Sequence, residues 1–137
     1  MTWEPRPVPA VTPETEPYWK AASEGTLLLR RCNDCGLTFY YPRARCPDCL
    51  SDDVDWIEAD GKGDVYAHTS TMTVSNWPED DLPLILAYVE LAEGPRMLTL
   101  LSECDADAIE IGTRVEVAFV PTANDEMSIP VFKPVDN

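Results

Sequence analysis

Hydrophobic and polar positions along the 137 residues change rhythm twice. Residues 5–17 hold five of the 13 prolines and almost no apolar periodicity, which predicts an extended arm that docks on something or stays mobile. TEPYWKAASEG follows, with Tyr18, Trp19 and Ala22 three or four apart on one face. Thr15 suits the N-cap, Glu16 and Pro17 the first turn, and Gly25 the end, so one short helix is predicted over 15–24. Next come three short strand-like runs, TLLLRR (26–31), LTFYYP (37–42) and VDWIEA (54–59).

From Gly61 onward the segments lengthen and alternate. GDVYAHTSTMTV (63–74) is the first, and LILAYVEL (84–91) with PRMLTLLS (95–102) forms a hairpin about Ala92-Glu93-Gly94. TRVEVAFV (113–120) places Val115, Val117 and Phe119 on one face, and MSIPVF (127–132) is a last strand whose Pro130 assigns it to an edge. Five strands with no helical pattern between them predict a small closed or half-closed barrel. The chain thus divides into an arm and helix (1–25), a ribbon (26–60) and a barrel (61–137), joined near Gly61 and Gly63.

The three runs before the barrel are stitched by Cys32, Cys35, Cys46 and Cys49, spaced C-x2-C-x10-C-x2-C. Two CxxC turns aim four sulfurs at one point and complete the tetrahedron that zinc prefers. Gly36 lets the first turn bend back, and Pro47 fixes φ in the second without needing a donor. Four protein ligands leave no open position, so the zinc is read as structural, holding together a ribbon too short to build its own core. Iron also suits four tetrahedral thiolates, and a redox CxxC is the remaining reading of the pairs.

Charge sharpens this picture. Ten basic against 25 acidic residues give a net charge of −15, which makes general nucleic-acid binding a poor fit and would suit a salt-rich cytoplasm. Yet Arg30, Arg31, Arg43 and Arg45 stand against the single acid Asp34 within residues 30–45. They offset the formal −2 of zinc with four thiolates, and they are also the chain's one landing place for an anion such as a phosphorylated ligand. The opening MTWEPRPVPA has neither a basic start nor an apolar run, and no stretch approaches 18 apolar residues. With its paired cysteines, the chain is expected to be cytoplasmic and away from membranes.

Other candidates are weaker. His68, the one histidine, lies in an alternating strand with no nucleophile to serve and is expected to pack on the barrel. Cys104 sits among acids in SECDAD, which disfavours a thiolate. The acidic runs lack the ligand spacing of a calcium loop. Trp77, in a loop, is a candidate to pack on a partner or an adenine. A nucleic-acid adaptor is the alternative reading, because transcription-type zinc ribbons share the cysteine spacing and OB barrels bind single strands. Against it, the barrel segment holds only four basic residues, Lys62, Arg96, Arg114 and Lys133. A stand-alone hydrolase has no nucleophile–base pair to support it.

The segments PYWKAASEGTLLLRRC, CNDCGLTFYYPRARCPDC, GKGDVYAHT, LAYVELAEGPRMLTLL and IGTRVEVAF together resemble the DUF35 proteins, acyl-CoA-associated chains with a rubredoxin-like zinc ribbon and an OB-fold. The resemblance runs from about residue 15 to 134. It implies a mainly β protein: an N-terminal helical arm, a rubredoxin-like zinc ribbon, and a C-terminal OB-fold five-stranded barrel. It implies a non-catalytic partner of a thiolase-superfamily enzyme that helps seat an acyl-CoA, as in archaeal assemblies of acetoacetyl-CoA thiolase with hydroxymethylglutaryl-CoA synthase. Zinc falls on the four paired cysteines. Arg43, in the Pro42-Arg43 step, is the first candidate for contact with coenzyme A, followed by Arg45, Arg31 and Lys62, the last standing where arginine is more usual. The apolar Trp3, Tyr18 and Trp19 are expected to dock on the partner.

Overall fold

The computed structural model describes residues 3–124 and 126–135; the outer ends of the 1–25 and 61–137 segments lie outside the described residues. Among these described residues one α-helix, α1 (Glu16–Ser23), precedes eight strands. The first three are β1 (Leu28–Cys32), β2 (Thr38–Phe39) and β3 (Val54–Glu58), forming an antiparallel sheet in the order β2-β1-β3. The remaining five are β4 (Lys62–Thr71), β5 (Leu84–Leu91), β6 (Arg96–Leu100), β7 (Arg114–Pro121) and β8 (Ser128–Pro134), in the order β6-β5-β4-β7-β8. A parallel bridge between Leu101 and Phe132 brings the end of β6 to β8 and nearly closes the barrel.

Alternation decides what each strand buries. On β5, Ile85, Ala87, Val89 and Leu91 turn inward, and Met97 of β6 and Leu101 just past its end meet them. Phe132 of β8 is wholly buried at the centre. Full burial of each such side chain stabilises the fold by about 1.5–3 kcal/mol. The same cluster takes in Tyr18 of α1 and Leu27 and Leu29 at β1, so helix, ribbon and barrel share one core.

The join is held tightly. The Val117 N–H donates to the Gly61 carbonyl at 2.7 Å, and the Ala92 N–H to the Lys62 carbonyl at 3.0 Å. The side chain of Glu93 accepts the Asp60 N–H at 2.9 Å, tying the β5–β6 turn to the ribbon's last residues. Gly63 is required by close approach: a Cβ there would lie 2.5 Å from the Glu90 carbonyl oxygen.

Several expectations change on the structure. The helix loses one residue at each end, and β4 stops at Thr71 rather than residue 74. β2 keeps only two paired residues; Tyr40 leaves the sheet to pack on Tyr18, and the exposed Tyr41 lies against Tyr40. The arm docks on the protein's own barrel: Trp3 is buried on Met127, Ile129 and Val131, and its N–H donates to the Pro121 carbonyl at 2.9 Å. Trp3 and Tyr18 are therefore committed to the core, which corrects the expectation that they face a partner; Trp19 stays half-buried. Trp77 packs edge-to-face on Trp3 at 5.4 Å, with the buried Arg6 beside both. His68 is exposed rather than packed, although its register partner Ala87 is buried. Among the described residues, no helix is long and apolar enough to cross a membrane.

Candidate metal centre

Each knuckle of the ribbon is a backbone turn closed on its own first cysteine. In the first, the Cys35 N–H points at the Cys32 sulfur at 3.4 Å and the Gly36 N–H donates to the Cys32 carbonyl at 3.0 Å. In the second, the Asp48 N–H points at the Cys46 sulfur at 3.4 Å and the Leu50 N–H donates to the Cys46 carbonyl at 3.0 Å. Cross-links register the two turns: Asn33 donates to Asp53 at 2.9 Å and to Asp55 at 3.0 Å, and Ser51 bonds Asp34.

As a result the sulfurs of Cys32, Cys35, Cys46 and Cys49 all lie within 4.8 Å of one another. Sulfur separations are 3.5 Å for Cys32–Cys49 and 3.6 Å for Cys35–Cys46. Zinc–sulfur bonds of about 2.3 Å in a tetrahedron place sulfurs about 3.8 Å apart, so this donor set fits zinc in number, kind and spacing. Cys32 and Cys46 are buried with Phe39, while Cys35 and Cys49 face solvent. The Cys35 N–H, first among several donors, draws the Cys32 thiol down to about 7, toward the thiolate that a metal needs. All four positions are filled by protein, so this is a structural site.

The structure does not gather the ribbon arginines into one contact. Arg30 is buried, its guanidinium 4.0 Å over the Trp56 ring with one nitrogen donating to the Val54 carbonyl at 2.8 Å. Arg31 is exposed on β1, paired in register with Thr38 and Asp55. Arg43 is exposed with its guanidinium 5.8 Å from the Tyr41 ring, and Arg45 donates to the Leu50 carbonyl at 3.1 Å. Lys62 is exposed at the start of β4, opposite Glu116 and so on the barrel. Three of the four candidates for coenzyme A, Arg31, Arg43 and Arg45, thus lie exposed on the ribbon, and Arg30, outside that set, is engaged in packing.

Cys104 lies half-buried beside a cleft of 460 Å³ that also touches Trp77, Asp80, Asp81 and Glu103. Burial, and then the Asp105 charge, push its thiol upward, which disfavours the thiolate. Sequence reasoning missed Glu93, whose role depends on a contact 33 residues away, and Leu50, discussed below. The glycine after the first CxxC and its absence after the second was the signal available for Leu50.

Comparison with known proteins gives this arrangement a setting. Residues 19–55 match the family described as ChsH2, rubredoxin-like zinc ribbon domain, and residues 56–120 that described as ChsH2, C-terminal OB-fold domain. The chain is 36% identical over 129 residues to a probable enoyl-CoA hydratase alpha subunit of Thermomonospora curvata. That match takes in 94% of this chain and 40% of the relative, so the chain spans less than half of the relative's length. It is 34% identical over 90 residues to a DUF35 domain-containing scaffold protein of Methanothermobacter thermautotrophicus, covering 65% of this chain and 68% of that one. A chain of the solved structure described as Ltp2-ChsH2(DUF35) aldolase superimposes with a TM-score of 0.80 at 34% identity, over 93% of this chain and 98% of that one. A DUF35 protein of Sulfolobus solfataricus, 13% identical with a TM-score of 0.62, shares the fold.

Proposed function

Since the chain belongs to the DUF35 family, we propose that it is a non-catalytic accessory subunit of an acyl-CoA-processing enzyme, a member of the thiolase superfamily. The observation that carries this reading is the likeness to the Ltp2-ChsH2(DUF35) aldolase chain, which runs through ribbon and barrel alike. The scaffold names of other relatives point the same way. An acetoacetyl-CoA thiolase with hydroxymethylglutaryl-CoA synthase is one partner set of this class, and an aldolase is another.

The contribution of the chain is positional. Arg43, Arg45 and Arg31 offer guanidinium groups to the phosphates of coenzyme A, against a surface that is otherwise acidic. Lys62 adds charge at the edge of the barrel. Zinc, when bound by the four cysteines, fixes the ribbon and with it these arginines; it supplies no reaction chemistry.

Gentle affinity purification from the native host, with mass spectrometry of what co-elutes, tests the reading. A thiolase-superfamily enzyme in stoichiometric amount is expected. Transcription or nucleic-acid factors in its place would overturn it. In the purified complex, Arg43→Ala should weaken coenzyme A binding about tenfold with zinc content unchanged; unaltered affinity would remove Arg43 from the site.

A further inference from the structure

β6 ends the five-stranded sheet, and little in its sequence protects the open side. It pairs with β5 from Glu90↔Arg96 to Leu86↔Leu100. Among the described residues its other side meets β8 at the Leu101–Phe132 bridge, where the Ser102 N–H donates to the Phe132 carbonyl at 2.8 Å. The Leu101 N–H faces β5, donating to Ile85 at 3.0 Å. Alternation along an antiparallel strand then turns the backbone groups of Leu98 and Leu100 away from β5, toward the seam with β8. A groove of 310 Å³ follows that seam, lined by Trp19, Tyr40, Leu98, Leu100, Ile129 and Pro130. Pro130, on the facing strand, has no N–H to offer.

Edges of this kind are normally blunted by lysine, proline or a bulge. From Met97 to Ser102 the chain has none of these and no charge at all. The one cation of β6, Arg96, is engaged, with its Nε 3.1 Å from Glu90 and its guanidinium 3.8 Å over Tyr66. The outer face beside the edge is apolar: Leu98 is 45% exposed, its cross-strand neighbour Tyr88 44%, and Tyr66 on β4 47%. This strip stands out in a chain with 25 acidic residues.

Charge selects the occupant. A second copy would bring −15 against −15. Where the strip ends, the 460 Å³ cleft shares Leu100 with the groove and is rimmed by Asp80, Asp81, Glu103 and Asp105, with Arg6 already paired to Asp81. We propose that β6 receives an extended segment of a partner protein by strand addition. Alternate apolar side chains of that segment cover Tyr88 and Leu98, and a lysine or arginine at one end lies over the acidic cleft. This inference rests on the accessory-subunit reading and adds the place and manner of the contact.

Residue-resolved hydrogen exchange on the native complex and on the free chain tests it. The amides of Leu98 and Leu100 should slow at least tenfold in the complex, while Met97 and Thr99, already bonded to β5, change little. Leu98→Glu should weaken assembly at least tenfold with zinc content and free-chain melting unchanged. If the complex forms with Leu98 and Leu100 exchange unaltered, the strand-addition proposal fails and the accessory reading stands. Failure to recover any stoichiometric partner overturns both. Self-association in ultracentrifugation, abolished by Leu98→Glu, would assign the edge to a second copy and overturn the proposal.

Discussion

Leu50 holds a φ of +65° at the place in the second zinc knuckle that Gly36 occupies in the first, at +81°. Both residues follow a CxxC pair and both donate their N–H to the carbonyl of that pair's first cysteine. The turn needs the left-handed conformation, which a side chain with a Cβ adopts at a cost of about 1–2 kcal/mol. Leu50 is 67% exposed, so no burial offsets that strain. Leu50→Gly is expected to stabilise the zinc-loaded protein by about 1 kcal/mol, read as a shift in the denaturation midpoint. Gly36→Leu should do the opposite, because open space around Gly36 leaves backbone strain as the whole effect. Equal and unchanged midpoints in both variants would show that the knuckles tolerate the conformation freely.

Zinc removal should have a sharper signature than an ordinary core mutation. The buried part of the ribbon's own cluster is Cys32, Phe39 and Cys46, so two of its three members are ligands. A structural zinc contributes on the order of 10–16 kcal/mol. Cys46→Ser should therefore lose the metal and unfold the ribbon. The pH dependence follows from the ligand form. Zinc binds thiolates, so protons compete for the four sulfurs and affinity drops toward acid. Metal release followed with a chromogenic chelator should rise as pH is lowered; release that grew toward alkaline pH would contradict a thiolate site.

Much of this architecture is legible in the residues, and for definite reasons. Alternation on β5 and β7 is a local property, and the cysteine spacing marks a metal site whatever surrounds it. Trp3 is different: its burial depends on β8, more than 120 residues away, and an aromatic in a proline-rich arm looks the same whether it docks on its own barrel or on another protein. Arg30 and Arg31 are adjacent in sequence, yet one stacks on Trp56 and the other faces solvent. Strand pairing makes that distinction, and composition alone does not. The open edge of β6 was equally hidden, because it is set by where β8 fails to pair.

Cys104 offers a test of the electrostatics away from the metal. Burial and then Asp105 raise its thiol pKa, so the folded state favours the protonated form. The associated stability is fully present below the unfolded thiol pKa and is lost as pH rises through the folded one. Alkylation at pH 7.5 should be slower than for a free thiol, with the zinc-bound cysteines protected and Cys104→Ser as the blank. Asp105→Asn should speed it by lowering the pKa. If Asp105→Asn left the rate and its pH midpoint unchanged, the charge would have no part in the shift.

Arg30 shows why a cation can matter here without touching a ligand. Its guanidinium lies 4.0 Å over the Trp56 ring, and a hydrogen bond to the Val54 carbonyl ties β1 to β3. A planar fork can stack and donate at once; an ammonium cannot keep both contacts in that space. A desolvated stack of this kind is worth about 1–2 kcal/mol. Burial also lowers the Arg30 pKa, the direction expected for a cation held away from water. Arg30→Lys should therefore destabilise the protein nearly as much as Arg30→Ala, by about 1–2 kcal/mol, despite keeping the charge. Denaturant unfolding at neutral pH, with zinc bound throughout, reads the difference. A lysine variant as stable as the parent would mean that charge alone, and not the stacked fork, is what the ribbon requires at this position.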